Sequence, residues 1–256
     1  MNHPNSIKTP RTPVFHIPHA GDGMPQELME SVCISPEEFQ AYHVKMKDSG
    51  AEFLINRKTC PAQFLIGFGI SRLLCDVERF IGPEEVMERY GMGFCYEKAY
   101  DGKQIKNITS ELREKTLKYY TAHHEKLDRA VSGLSRVILF DLHSFSEELV
   151  MPDRRDSRPM PDICIGADST YTPPALAEAA SELFRKAGFS VAVNYPYAGS
   201  MVPNIVMKGG TDCDLLTMMI EMNRTAVFDE NRMLITGRID LIRNIMDRLT
   251  DMSQYM

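Results

Sequence analysis

No apolar run in the chain approaches the ~20 residues of a membrane span, so a membrane partner has no support in the sequence. Its six cysteines include no C-x-x-C pair. Cys75 and Cys164 lie inside apolar, strand-like runs and Cys213 opens a third. The thiols therefore read as reduced and mostly buried, as in a cytoplasmic protein. Basic runs are equally scarce, none longer than a pair such as Arg154-Arg155, and 29 basic against 35 acidic residues give a formal charge of −6. Nucleic acid is not an expected partner. Met1 to Arg11 carry Pro4 and Pro10 and lack an apolar core, so no signal peptide is expected and residues 1–11 are read as flexible. Repeats, low-complexity tracts and long linkers are also missing. A single domain over residues 1–256 is the expectation.

The composition is that of a globular protein, 43% hydrophobic and 25% charged over 256 residues, long enough to bury a sizeable core. Short β-branched or aromatic runs bounded by Gly, Pro or polar residues predict strands at Pro13 to Pro18, Ala62 to Phe68, Arg136 to Leu142, Phe189 to Asn194 and Leu215 to Met222. Ser35-Pro36-Glu37-Glu38 is a capping box with proline at the first helical position, launching a helix that ends before Asp48. Apolar residues spaced three and four apart predict a helix from Ile108 to Val131, ended by Gly133. Pro173-Pro174 opens an alanine-rich helix from Ala175 to Ala187, closed by Gly188. The tail from Gly237 to Met256 aligns Ile239, Ile242, Ile245, Met246 and Leu249 on one face and should dock on the core. Such alternation predicts an α/β fold with a mixed, mostly parallel sheet flanked by helices. Ser144 to Tyr171, rich in proline and arginine, reads as one long irregular loop, either solvated or a cationic lid over an anionic substrate.

Two of these strand-like runs close on histidine: Val14-Phe15-His16-Ile17-Pro18-His19 and Val137-Ile138-Leu139-Phe140-Asp141-Leu142-His143. Ligands of open α/β sheets gather beyond the carboxyl ends of the strands. Imidazoles delivered there by separate strands suit a catalytic metal that keeps a position open for water. A third run, Leu215 to Arg224, carries Glu221 toward the same edge. Histidine, histidine and glutamate at three strand ends point to a hydrolase. His16 alternates with Phe15 and Ile17 and should face a helix or solvent. Asp141, two residues before His143 on the same sheet face, is placed either to orient an imidazole or to act as a buried structural carboxylate.

Six motifs occur in order: Pro18-His19-Ala20-Gly21 with Pro25; Ser71-Arg72 with Asp76 and Arg79; Asp141-Leu142-His143-Ser144; Pro161-Asp162-Ile163-Cys164-Ile165-Gly166; Asn194-Tyr195-Pro196-Tyr197-Ala198-Gly199; and Glu221-Met222-Asn223-Arg224. Together, from about Pro13 to Glu230, they resemble the N-formylglutamate amidohydrolase family, which is similar in fold to the zinc carboxypeptidases (a zinc carboxypeptidase/phosphorylase-like sheet). The resemblance implies one Zn2+ per chain and hydrolysis of the N-acyl amide of an acidic amino acid. His19 and His143 match its metal-binding histidines. Its acid matches Asp48, in Lys47-Asp48-Ser49-Gly50, while Asp22, at H-x-x-D spacing from His19, is the alternative third ligand. Glu221 matches the general base, and Arg72, Arg79 and Asn194 match positions that would hold a small anionic N-acyl substrate. His124 matches a family histidine, and its helical setting favours a supporting role.

Two departures bear on the substrate. Asp76-Val77-Glu78-Arg79 stands where the family commonly reads Asp-Leu-Asn-Arg, and Ala198-Gly199-Ser200 replaces a more usual glycine pair. An inward-pointing Glu78 would oppose an anion site. The competing readings are a hydrolase of another N-acyl amino acid or cell-wall peptide, and a non-catalytic descendant of the family. The oligomeric state is left open, a homo-oligomer included.

Overall fold

The computed structural model describes residues 9–57 and 60–256. Its elements run β1 (Thr12–Ile17), α1 (Gln26–Met29), α2 (Pro36–Met46), β2 (Leu65–Gly67), α3 (Ser110–Ser132), β3 (Arg136–Phe145), β4 (Ile163–Gly166), α4 (Pro174–Lys186), β5 (Val191–Val193), α5 (Asn204–Met207), β6 (Asp214–Asn223) and α6 (Thr236–Ser253). The six strands form one sheet in the order β2-β1-β3-β6-β4-β5. All neighbours are parallel except β4 against β6. The predicted α/β fold with a mixed, mostly parallel sheet is what the chain adopts.

Two-residue periodicity decides the layers. On one face Phe15, Ile17, Ile138, Phe140, Leu142, Met218 and Ile220 pack with Leu176, Ala180 and Phe184 of α4 and with Ile239, Ile242 and Leu249 of α6. The opposite face places Val14, Val137, Leu139 and Leu215 against Leu127 and Val131 of α3. The alternation continues on this second face into polar residues: after Val14 comes His16, after Leu139 come Asp141 and His143, and after Leu215 come Thr217 and, past Met219, Glu221. Carboxyl-end residues of the α3 face are thus spared for chemistry. A further cluster, from Leu28 and Phe39 to Leu73, Tyr96, Ile105 and Leu112, builds a wall beside them.

Helix starts follow the sequence. The Ser35 hydroxyl accepts the Glu38 amide at 3.2 Å, and Thr109 caps α3 by accepting the Leu112 amide at 3.1 Å. All five predicted tail residues of α6 are buried.

Three expectations are corrected. Ala62–Phe64 forms a 3₁₀ turn, so β2 keeps only Leu65–Gly67. Within the segment read as one irregular loop, Ile163–Gly166 is a fully buried strand whose antiparallel partner is β6. Four residues between prolines and a glycine are too short for periodicity to signal. The expected flexibility of residues 1–11 lies outside the described residues up to position 8, but Arg11 is buried. Its Nη1 donates to the Asp214 carbonyl, and its Nη2 lies 2.8 Å from Asp214 Oδ2. No helix among the described residues is long and apolar enough to cross a membrane. All six cysteines are unpaired.

Candidate functional site

His19 lies two residues past β1, in a loop that touches the one after β2 backbone to backbone. A Cβ on Gly21 would sit 2.4 Å from the Gly69 carbonyl carbon and the Phe68 oxygen, so only glycine permits the approach. The Gly23 amide donates to Gly69 O at 2.8 Å and the Ser71 amide to Gly23 O at 2.9 Å, which brings Arg72 beside His19. Asp48 leaves the end of α2 and its amide donates to the His19 carbonyl at 3.0 Å. His143 and Glu221 are direct neighbours across β3 and β6.

These elements converge. Asp48 Oδ2 lies 3.0 Å from His143 Nδ1 and 3.5 Å from His19 Nδ1, and the two imidazole centroids are 5.1 Å apart. Asp48 Oδ1 accepts from Arg72 Nη1 at 3.0 Å. Burial pushes the Asp48 carboxyl up most strongly, yet the His143 hydrogen bond, the adjacent His19 imidazole and the Arg72 charge outweigh it, leaving the group well below the usual range. Asp76 is fully buried behind His19. It accepts from His19 Nε2 at 2.8 Å, from Tyr96 at 2.8 Å, from Arg72 Nη2 at 2.9 Å and from the Glu78 amide at 3.0 Å. Burial, with a smaller push from the Asp48 charge, raises the Glu221 carboxyl to about 8 against the opposing pull of His143, His19 and Arg72.

His19, Asp48 and His143 therefore meet as the sequence suggested, with Glu221 beside them. Asp22 does not join. Its side chain is 70% exposed and is drawn outward by His43 Nε2 at 2.9 Å and the Lys47 ammonium at 2.7 Å. Asn194 is also corrected: exposed, it does not line the cavity. Its Oδ1 accepts the Ala167 amide at 2.8 Å and its Nδ2 donates to Ala167 O at 3.2 Å, a clamp between two loops. Arg72 and Arg79 sit at the site held by protein partners, though Arg72 Nε is buried without one. Arg72 serves Asp48 and Asp76, while Arg79 donates to the carbonyls of Met92 and Glu78 and to the Tyr96 hydroxyl. His124 stands behind the segment that carries Glu78, its Nε2 donating to Val77 O at 2.8 Å. Asp141 lies 3.1 Å from His143 Nε2 and 2.8 Å from His16 Nδ1, reaching both imidazoles.

Several site residues carry no motif signal that assigns them a role. Asp76 occurs in the quoted motif without one. Glu78 points inward, 3.1 Å from His143 Nε2 and 3.6 Å from His19 Nδ1. Arg154 sits over the Tyr197 ring at 5.4 Å and donates no side-chain hydrogen bond among the described residues. It borders a cavity of about 610 Å³ that also touches His19, Arg79, Tyr197, Glu221 and Arg224, a volume suited to a small ligand.

The donor atoms of this cluster suit a metal ion. His19 Nδ1 and His143 Nε2 are buried with no hydrogen-bond partner. Four carboxylates, Asp48, Asp76, Glu78 and Asp141, lie within 4.0 Å of the two imidazoles, and among the described residues Arg72 and Arg79 are the only lysines or arginines within 4.0 Å of them. Two negative charges are left over, and a nitrogen–oxygen donor set of this kind suits a divalent cation. The residues fit.

An α/β sheet with histidines and carboxylates buried together at its carboxyl edge, open to a small-ligand cavity, defines a protein of the hydrolase kind. A family model described as N-formylglutamate amidohydrolase matches residues 12–228, and the chain belongs to that family of amidohydrolases. It is similar to the N-formylglutamate amidohydrolase of Ralstonia eutropha JMP134, with a TM-score of 0.76 at 21% identity over 97% of this chain and 95% of that one. The gene product Atu2144 of Agrobacterium tumefaciens superposes with a TM-score of 0.63 at 18% identity, covering 96% and 91% of the two chains. At these identities the likeness is one of fold. No curated sequence relative matches the chain.

Proposed function

We propose that the chain is a zinc-dependent amidohydrolase of the cytoplasm that hydrolyses the N-formyl amide of an acidic amino acid such as N-formylglutamate. The observation that carries this reading is the meeting of His19, Asp48 and His143 beside Glu221 in one buried cluster. His19 and His143 would hold the metal with Asp48, the Nε2 of His19 being braced by Asp76. A divalent ion there supplies Lewis acidity to a carbonyl and to a water molecule.

This chain's residues do the rest. Glu221 takes a proton from the water that attacks the formyl carbon and delivers it to the departing nitrogen, so that the C–N bond breaks to formate and free amino acid. Burial favours the acid form of Glu221, which suits the delivery of that proton to the nitrogen. The guanidinium of Arg154, held on Tyr197 at the cavity wall, is placed to bind a substrate carboxylate through paired donors.

Glu221→Gln tests the reading. Metal content should stay near that of the wild type while turnover of N-formylglutamate falls by roughly 10²–10⁴-fold, the usual worth of acid–base assistance. Loss of metal together with activity would make Glu221 a ligand instead. Equal hydrolysis of N-formylglutamate and its uncharged diamide would overturn the acidic-substrate part.

A further inference from the structure

One cation held by His19, Asp48 and His143 leaves part of the buried cluster without an explanation. Glu78 and Asp141 are both largely shielded, with side chains 14% and 3% exposed, and neither lies within 4.0 Å of a lysine or arginine nitrogen among the described residues. Asp141 accepts one backbone hydrogen bond, from Met201 at 3.0 Å. Otherwise the two carboxylates face only imidazoles. His16, wholly buried at the last paired position of β1 and β3, presents Nδ1 at 2.8 Å from Asp141 Oδ1 and 3.7 Å from Glu78 Oε1. Its other nitrogen is occupied by His123 Nε2 at 2.9 Å. The Nε2 of His143, 95% buried and unpartnered, is aimed into the same space, 3.1 Å from both Glu78 Oε2 and Asp141 Oδ1.

The two oxygens of Glu78 are divided between these groups. Oε2 faces His19 and His143, whereas Oε1 faces His16. A carboxylate split in this way is disposed to bridge two ions. The separations from His16 Nδ1, 2.8 Å to Asp141 and 3.7 Å to Glu78, bracket the roughly 3.3 Å between donors around a tetrahedral zinc, and all three donors lie within 4.8 Å of one another.

We infer that His16, Glu78 and Asp141 form a second divalent-cation site, adjoining the His19–Asp48–His143 site and sharing Glu78 with it. The inference rests on the proposed metal site and extends it from one ion to two. The first ion balances the four carboxylates and two arginines, so a second ion at Glu78 and Asp141 leaves the cluster net positive and draws an anionic substrate toward the pocket. Glu78 is the donor that the two sites share, so the second site depends on it.

Zinc stoichiometry tests it. The protein is stripped with chelator, dialysed against Zn2+ and analysed by mass spectrometry of the metal per chain. The wild type should retain two zinc ions and Glu78→Asn one; Glu78→Gln replaces the asparagine variant if circular dichroism shows that it has not folded. Cobalt(II)-loaded wild type should show magnetic coupling between neighbouring ions, and the Glu78 variant none. One zinc in the wild type, or two in both proteins, overturns the second site and leaves the first standing. No zinc in the wild type overturns both.

Discussion

Asp76→Asn is the substitution that most directly probes how the site is held together. The fully buried Asp76 carboxylate accepts from His19, Arg72, Tyr96 and the Glu78 amide within 3.0 Å, and Arg79 Nη2 lies 3.5 Å away. Asparagine has the same shape but turns one oxygen into a donor facing other donors. Arg72 would keep Asp48, whereas Arg79 would lose its only carboxylate within 4.0 Å among the described residues. Removing one partner of a buried ion pair costs about 3–5 kcal/mol, because the remaining charge stays desolvated. With a urea dependence of roughly 3 kcal/mol per molar for a chain of this size, the unfolding midpoint should fall by about 1–1.7 M. The brace on His19 Nε2 is lost with it, so zinc affinity should weaken by roughly 10–100-fold. Urea titration followed by circular dichroism, with zinc affinity from competition against a chromophoric chelator, measures both. A midpoint within about 0.2 M of wild type and unchanged affinity would show that Asp76 braces neither the arginines nor the imidazole.

Other expectations follow from the packing. Gly21→Ala must separate two backbone segments that a Cβ would approach to 2.4 Å; overpacking of about 1–3 kcal/mol should lower Tm by roughly 3–10 °C, and a Tm shift under 1 °C would refute the close approach. Lys106 is wholly buried, its ammonium hydrogen-bonded to the Leu74 carbonyl and the Cys95 thiol, with no carboxylate within 4.0 Å among the described residues, and burial lowers its pKa. The unfolded chain then binds a proton that the folded one releases, so wild-type stability should rise with pH up to about 10.5 relative to Lys106→Met; parallel stability curves would contradict this. Arg154→Leu should raise the KM for N-formylglutamate by about tenfold or more with metal content unchanged, whereas an unaltered KM would remove Arg154 from substrate binding.

Local pattern was enough to read much of this molecule. Strand ends at His19, His143 and Glu221, the caps at Ser35 and the apolar stripe of α6 all depend on residues within a few positions of one another, where periodicity and capping chemistry act. The ordered motifs also carried the family, because each is a short run of neighbouring residues that can be read without the fold. What only the tertiary structure decided involves partners far apart in the chain. Asp48 rather than Asp22 meets the histidines because the Asp48 amide bonds to the His19 carbonyl while His43 and Lys47 hold Asp22 outside. Asn194 belongs to a loop clamp and Arg11 to the sheet's edge for the same kind of reason: their hydrogen-bond partners lie 27 and 203 positions away. The direction of Glu78 and the commitment of Arg72 and Arg79 to Asp76 depend on a largely irregular segment, residues 68–107. Its path is set by packing against α3 and the sheet edge rather than by any repeat, so its side chains acquire their roles only when the chain has folded.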